Sequence, residues 1–289
     1  MMFRRRDGMG ACDARTQGAP IATAIGVTED AAACVHSTSR RRNIILNRAL
    51  SLRRAAALGG VLAALVLYDA AAGRLPAMSE TWDVAFVSLV LIPATVAVLW
   101  LALPAATARG LLTVGLAVGV LAIVLEIASA GSAFNAAKVV TYALLGFVFL
   151  ELFQELSWIV LVAAIIPWVD AISVWRGPTK VVVTQHPGLF DRISIAFRIP
   201  GEQGSANLGP PDILFFALFL ATAQRFGLRV GWTWITTTAL LGLTLALTSA
   251  FDLAGLPALP AISLGFLVPN GDLLWSRWRD RHVRNVRAG

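Results

Sequence analysis

Charge is scarce in this sequence. Asp, Glu, Lys and Arg supply 14% of the 289 residues, where an ordinary soluble domain carries about 25%; that shortfall excludes a conventionally solvated surface. Cysteine is nearly absent. Cys12 and Cys34 are the two present, both ahead of the first apolar run, so neither a disulfide framework nor a thiolate metal cluster is expected. The three histidines, His36, His186 and His282, are scattered, which leaves no His-based metal centre to expect, and no organic cofactor is called for. Also missing is an apolar core of signal-peptide length after Arg4, Arg5 and Arg6, so cleavage of a leader is not expected. Apolar residues fill the space instead: they make up 57% of the chain, and the mean hydropathy is +0.72. Such a chain is an integral, multi-pass membrane protein whose first partner is the lipid bilayer.

Residues 1–54 stand apart as a basic tail without helical periodicity, bearing Arg4–Arg6 and Arg40–Arg42. Its charge suits anionic lipid, and no nucleic-acid role is expected. From residue 55 to 275, apolar windows of spanning length follow one another, at 55–72, 83–103, 110–130, 136–153, 157–175, 211–228, 231–251 and 257–275. These predict an all-α, polytopic fold of eight transmembrane helices. Several tryptophans (Trp82, Trp175, Trp232, Trp275, Trp278) fall at window ends, where an interfacial belt places them. One long polar connection, 176–210, carries Arg176, Lys180, Asp191, Arg192, Arg198 and Glu202. Residues 276–289 form a strongly basic C-terminal tail. Arginines gather on the face holding both tails, Arg109, Arg225 and Arg229, so the positive-inside rule places both termini in the cytoplasm and the long loop outside.

Two carboxylates interrupt the apolar windows. Asp170 lies in Ile-Pro-Trp-Val-Asp-Ala-Ile-Ser-Val-Trp and Asp212 in Gly-Pro-Pro-Asp-Ile-Leu-Phe-Phe. An ionisable residue within a membrane costs about 2.5–3.5 kcal/mol on translocon-type scales and is a functional-site hypothesis by default. Each is placed about five residues from the face of the long loop, so both carboxyls are expected roughly 7–8 Å below it. Taken singly, Asp212 after Pro210-Pro211 is an ordinary helix start, and Asp170, with Pro167 free to kink its helix, is a hydrogen-bonded structural carboxyl. As a pair at one depth they form an acid/base site, because close carboxyls share one proton.

With a third segment, Pro257-Ala258-Leu259-Pro260, these residues resemble the presenilin and signal peptide peptidase superfamily of intramembrane aspartyl proteases. That family carries a Tyr-Asp motif, a Gly-x-Gly-Asp motif and a Pro-Ala-Leu motif in successive regions. Here Val169-Asp170, Gly209-Pro210-Pro211-Asp212 and Pro257-Ala258-Leu259 stand in that order over residues 157–275, while the N-terminal half is similar only as a series of apolar helices. The resemblance implies a presenilin-like fold of eight to nine transmembrane helices in a prokaryotic plasma membrane. It also implies Asp170 and Asp212 as the catalytic dyad, with Gly209, Pro210, Pro211, Pro257, Ala258, Leu259 and Pro260 lining the substrate. Two departures stand out: Val169 lacks the family's hydroxyl, and Pro211 replaces a glycine with a residue that fixes φ and has no N–H.

The implied activity is endopeptidase cleavage of single-span membrane proteins or signal-peptide remnants, without metal or cofactor. Two other classes fit parts of the pattern. A proton-coupled transporter would use Glu126, Asp170 and Asp212 as a relay, but it predicts an internal repeat that the sequence does not show. A catalytically inactive presenilin-like binding protein is suggested by Pro211. A prepilin-type peptidase shares Gly-x-Gly-Asp but lacks Pro-Ala-Leu.

Overall fold

The structure, a computed structural model, describes residues 51–108, 110–176, 187–202, 204–251, 253 and 256–288. Two units divide the chain, Met1–Ala56 and Ala57–Gly289, and the helical core and the candidate site belong to the second. Each of the eight apolar windows is helical. They form α1 (Ser51–Arg74), α2 (Glu80–Thr107), α3 (Leu111–Ile127), α4 (Gly131–Leu152), α5 (Leu156–Arg176), α7 (Pro210–Arg225), α8 (Val230–Ala250) and α9 (Leu259–Ala288). Among the described residues, α1, α2, α4, α5 and α8 are the five long and apolar enough to cross a membrane. Their outward faces are bare hydrocarbon: Leu89 is 75% exposed and Trp168 72%. Water would not tolerate that surface; lipid does.

Helix α7 is the exception and the centre of the fold. Ile213 and every residue from Phe216 to Ala223 are buried, and a helix apolar all round belongs inside. Helix α4 packs on it at Gly146, where the absence of a Cβ leaves room for the Leu214 carbonyl. Helix α9 packs on α7 as well, stacking Phe266 on Phe219 with ring centroids 4.8 Å apart. It also packs on α5 and α8.

The long connection adds one short strand pair to this otherwise helical fold. After a short helix, α6 (Pro187–Ile193), the chain forms a two-stranded antiparallel hairpin of β1 (Ile195–Arg198) and β2 (Ser205–Leu208). Ile195 stands opposite Leu208, and Arg198 opposite Ser205. Ile195 and Phe197 alternate into the core, as period-2 side chains do. The tip turns at Gly201 with φ +72°, where an added Cβ would lie 2.4 Å from the Ala77 nitrogen. Its N–H donates to the Ala72 carbonyl at 2.9 Å. Arg198 pairs with buried Asp69 of α1 at 3.4 Å, and the Tyr68 hydroxyl donates to the Arg198 carbonyl at 2.7 Å.

Both ends of the helical region also move. Helix α1 is already formed at Ser51, inside what reads as the 1–54 tail, and residues 1–50 lie outside the described ones. The C-terminal tail is not separate: α9 continues unbroken for 30 residues to Ala288. After Gly271 the sequence holds no Gly or Pro before that point, so nothing stops propagation.

Candidate active site

Asp170 sits on α5, whose helix runs through Pro167 without a break. The carboxyl is half-buried, and its Oδ2 accepts the Leu259 backbone N–H at 3.0 Å. Leu259 opens α9, where first-turn N–H groups have no partner within their own helix. Asp170 therefore caps another helix from the side. This bond ties the Pro-Ala-Leu segment to the first aspartate.

Asp212 is the third residue of α7. Gly209 precedes the helix in extended conformation, and Pro210 and Pro211 fill the first two helical positions. Two prolines remove two N–H groups that would otherwise be orphaned. Asp212 Oδ2 turns back to accept the Gly209 N–H at 2.9 Å. The helix-start role expected of Asp212 taken singly is thus present, and it occupies one carboxyl oxygen.

The helices that carry the two aspartates, α5 and α7, pack against each other, and both pack against α9. The aspartates' distances from the helix ends differ. Asp170 is six residues from the end of α5 and Asp212 two from the start of α7, or about 9 Å and about 3 Å. The difference arises because residues 205–208 form β2, which postpones the helix to Pro210.

The proposed lining residues divide. Leu259 offers its N–H to Asp170, but its side chain is buried at 5% exposure. Pro257, Ala258, Pro260, Gly209 and Pro210 are half-buried, and Pro211 is exposed. Past Pro257 and Pro260 the helix is regular, with the Ile262 N–H donating to the Ala258 carbonyl at 3.1 Å. Two prolines at a helix opening leave the later bonds intact.

Glu126 is not part of this group. It pairs with Arg192 at 3.5 Å. Three further buried ionisable side chains escaped the sequence reading as site residues: Asp69, Asp83 and Lys138, at 6%, 5% and 5% exposure. Asp83 Oδ1 has no hydrogen-bond partner. Each is a lone charge near the end of an apolar window, the signal that drew attention to Asp170. Among the described residues, no group of three or more His, Cys, Asp or Glu is gathered as metal ligands would be.

No family model matches the chain, and no curated protein matches it either.

Proposed function

We propose that this chain is an intramembrane aspartic endopeptidase of presenilin-like fold that cleaves single-span membrane segments with the Asp170–Asp212 dyad. One observation carries the reading. Three short motifs far apart in sequence lie on helices packed together: Asp170 accepts the Leu259 N–H that opens α9, and α5, α7 and α9 touch one another. A capping carboxyl needs one partner; two carboxyls on packed helices are the arrangement that shared-proton chemistry requires.

In that chemistry the pair holds one proton. The ionised carboxylate removes a proton from water as the oxygen attacks the scissile carbonyl carbon. The protonated partner hydrogen-bonds the carbonyl oxygen, then delivers its proton to the departing nitrogen as the C–N bond breaks. A helical substrate must first unwind, since its carbonyls are occupied. Strand β2 offers a place for the unwound segment. Its outer edge has no backbone partner among the described residues, and it runs directly into Gly209 and Asp212.

The test is direct. Purified protein in detergent, incubated with a generic single-span substrate, should yield two fragments on a gel, and Asp170→Ala should yield none. Equal cleavage by both forms would sink the dyad. No cleavage by either would favour the inactive binding protein, for which Asp212 is only a helix cap. A proton relay through Glu126 is less supported, because Arg192 already holds that carboxylate.

With α3, α7 and α9 also crossing, the helices number eight, and the even count puts both termini on the arginine-rich side. A cysteine at Gly188, exposed on α6 in the long connection, should be labelled from outside intact cells by an impermeant maleimide, and one at Arg284 should not. The reverse pattern would invert the orientation.

Pro211 should stiffen the turn before Asp212. Pro211→Gly is expected to broaden the range of cleaved bonds and lower stability by about 0.5–1 kcal/mol, through greater freedom of the unfolded chain. Cleavage-site mapping by mass spectrometry over a small peptide panel checks this. An unchanged site profile would reduce the proline to a tolerated helix start.

A further inference from the structure

Beside Thr141, whose hydroxyl donates to the Ala137 carbonyl of the same helix, helix α4 carries Asn135, Lys138 and Tyr142 in a largely apolar stretch. The spacings i, i+3 and i+7 put them on one stripe, and every one reaches the backbone just before or within β1. Asn135 Nδ2 donates to the Ala196 carbonyl at 2.7 Å, while its Oδ1 accepts the Ala196 N–H at 3.0 Å. Lys138 Nζ donates to the Arg192 carbonyl at 3.2 Å and to the Ser194 carbonyl. The Tyr142 hydroxyl donates to the Ile193 carbonyl at 2.7 Å. A single helix face thus satisfies four carbonyls and one N–H between residues 192 and 196.

We propose that Asn135, Lys138 and Tyr142 are positioning residues for Asp212, holding β1 so that β2 and the Gly209 turn present that carboxyl to Asp170. The path is short and continuous. β1 is fixed on α4; β2 is fixed on β1, with Ile195 opposite Leu208; Leu208 is buried and adjoins Gly209; and the Gly209 N–H holds Asp212 Oδ2 at 2.9 Å. A strand free to slip by one residue would turn every side chain to the other face and carry Gly209 with it. The two-point amide clasp of Asn135 on Ala196 forbids that slip, because no neighbouring residue offers the same N–H and carbonyl pair at that height. Lys138 makes the clasp costly to open, since the residue is buried and its ammonium is held by the Arg192 and Ser194 carbonyls and by the Phe134 ring 4.6 Å away.

This inference rests on the protease reading, so two readouts are needed. The variants are Asn135→Ala, Lys138→Met and Lys138→Arg in the full-length protein. The first readout is steady-state cleavage. A displacement of about 1 Å in a catalytic group costs up to about 100-fold, so Asn135→Ala and Lys138→Met should lower kcat at least ~10-fold with KM within about twofold. Lys138→Arg, which keeps the charge and donors, should recover most of the loss. The second readout is hydrogen exchange by mass spectrometry. In both disabling variants, exchange should rise at residues 187–198 and also at 205–214.

Wild-type kcat in well-folded Asn135→Ala overturns the proposal, as does a rise in exchange confined to 187–198. If Lys138→Met does not fold, Asn135→Ala carries the test, since it strands no charge. If wild-type protein cleaves nothing, the protease reading fails on its own. The exchange at 205–214 then still decides whether α4 positions Asp212.

Discussion

Asp170→Asn and Asp212→Asn are each expected to abolish proteolysis while the protein inserts, purifies and melts much as wild type does. An amide keeps the shape and one acceptor oxygen, so the bonds from the Leu259 N–H and the Gly209 N–H survive in either variant. What is lost is the exchangeable proton. General acid–base assistance contributes about 10²–10⁴-fold at each step, and groups acting as a unit fail together. Each single variant should therefore fall to the background of the double variant. Gel-based cleavage together with a detergent melting curve checks both halves. Residual turnover above the double variant would remove that residue from the dyad. Loss of folding in Asp170→Asn would show that the carboxylate's main task is capping α9.

The second large effect is expected far from the carboxyls, at Gly146. A Cβ there would lie 2.3 Å from the Leu214 carbonyl oxygen and 2.8 Å from the Ala217 Cβ. Small residues let membrane helices meet backbone to backbone, and here the contacted carbonyl is only two residues beyond Asp212. Gly146→Val must push α4 away from α7. Overpacking costs about 1–3 kcal/mol or more, which for a chain of this size lowers Tm by about 3–10 °C. Cleavage should fall with it, since the displaced segment carries the second aspartate. Gly115→Ala is the control: its Cβ would meet Leu144 Cβ at 3.5 Å, an ordinary contact, so its Tm should hold or rise. Equal melting of the two variants would mean the α4–α7 crossing has slack.

The long apolar segments were legible because hydrocarbon leaves so few choices. A window of Leu, Val, Ala and Ile must hydrogen-bond its own backbone, and 231–251 became Val230–Ala250 with one residue of error. Helix α4 was read as starting at 136, while it begins at Gly131. Asn135 and Lys138 dilute the hydropathy of its first turns, and their tertiary role is what sequence periodicity does not encode. The hairpin was missed for a related reason. Ile195, Phe197 and Ile199 alternate, and Pro200-Gly201 is a turn signal, but the run is short and lies among charges, and its strands are held by α1 and α4. In the site, the aspartates were visible as charges in apolar windows. The Leu259 N–H was not, since a backbone donor has no letter of its own. Asp69 and Asp83 carried the same signal as Asp170 and were passed over because no motif framed them.

The central helix has a consequence for how the protein is made. At 16 residues, α7 is about 24 Å long, against about 30 Å of hydrocarbon. It begins with two prolines and a carboxylate and, once assembled, meets protein on every side. An isolated α7 leaving the ribosome would be a poor candidate for partitioning into lipid, so its insertion should depend on helices already in place. Helix α4, synthesised earlier, waits with the Gly146 notch that α7 must occupy, whereas α9 emerges last and closes over it. Between those events the nascent chain holds an incomplete core, and the Asp170 carboxyl waits for the Leu259 N–H that α9 brings.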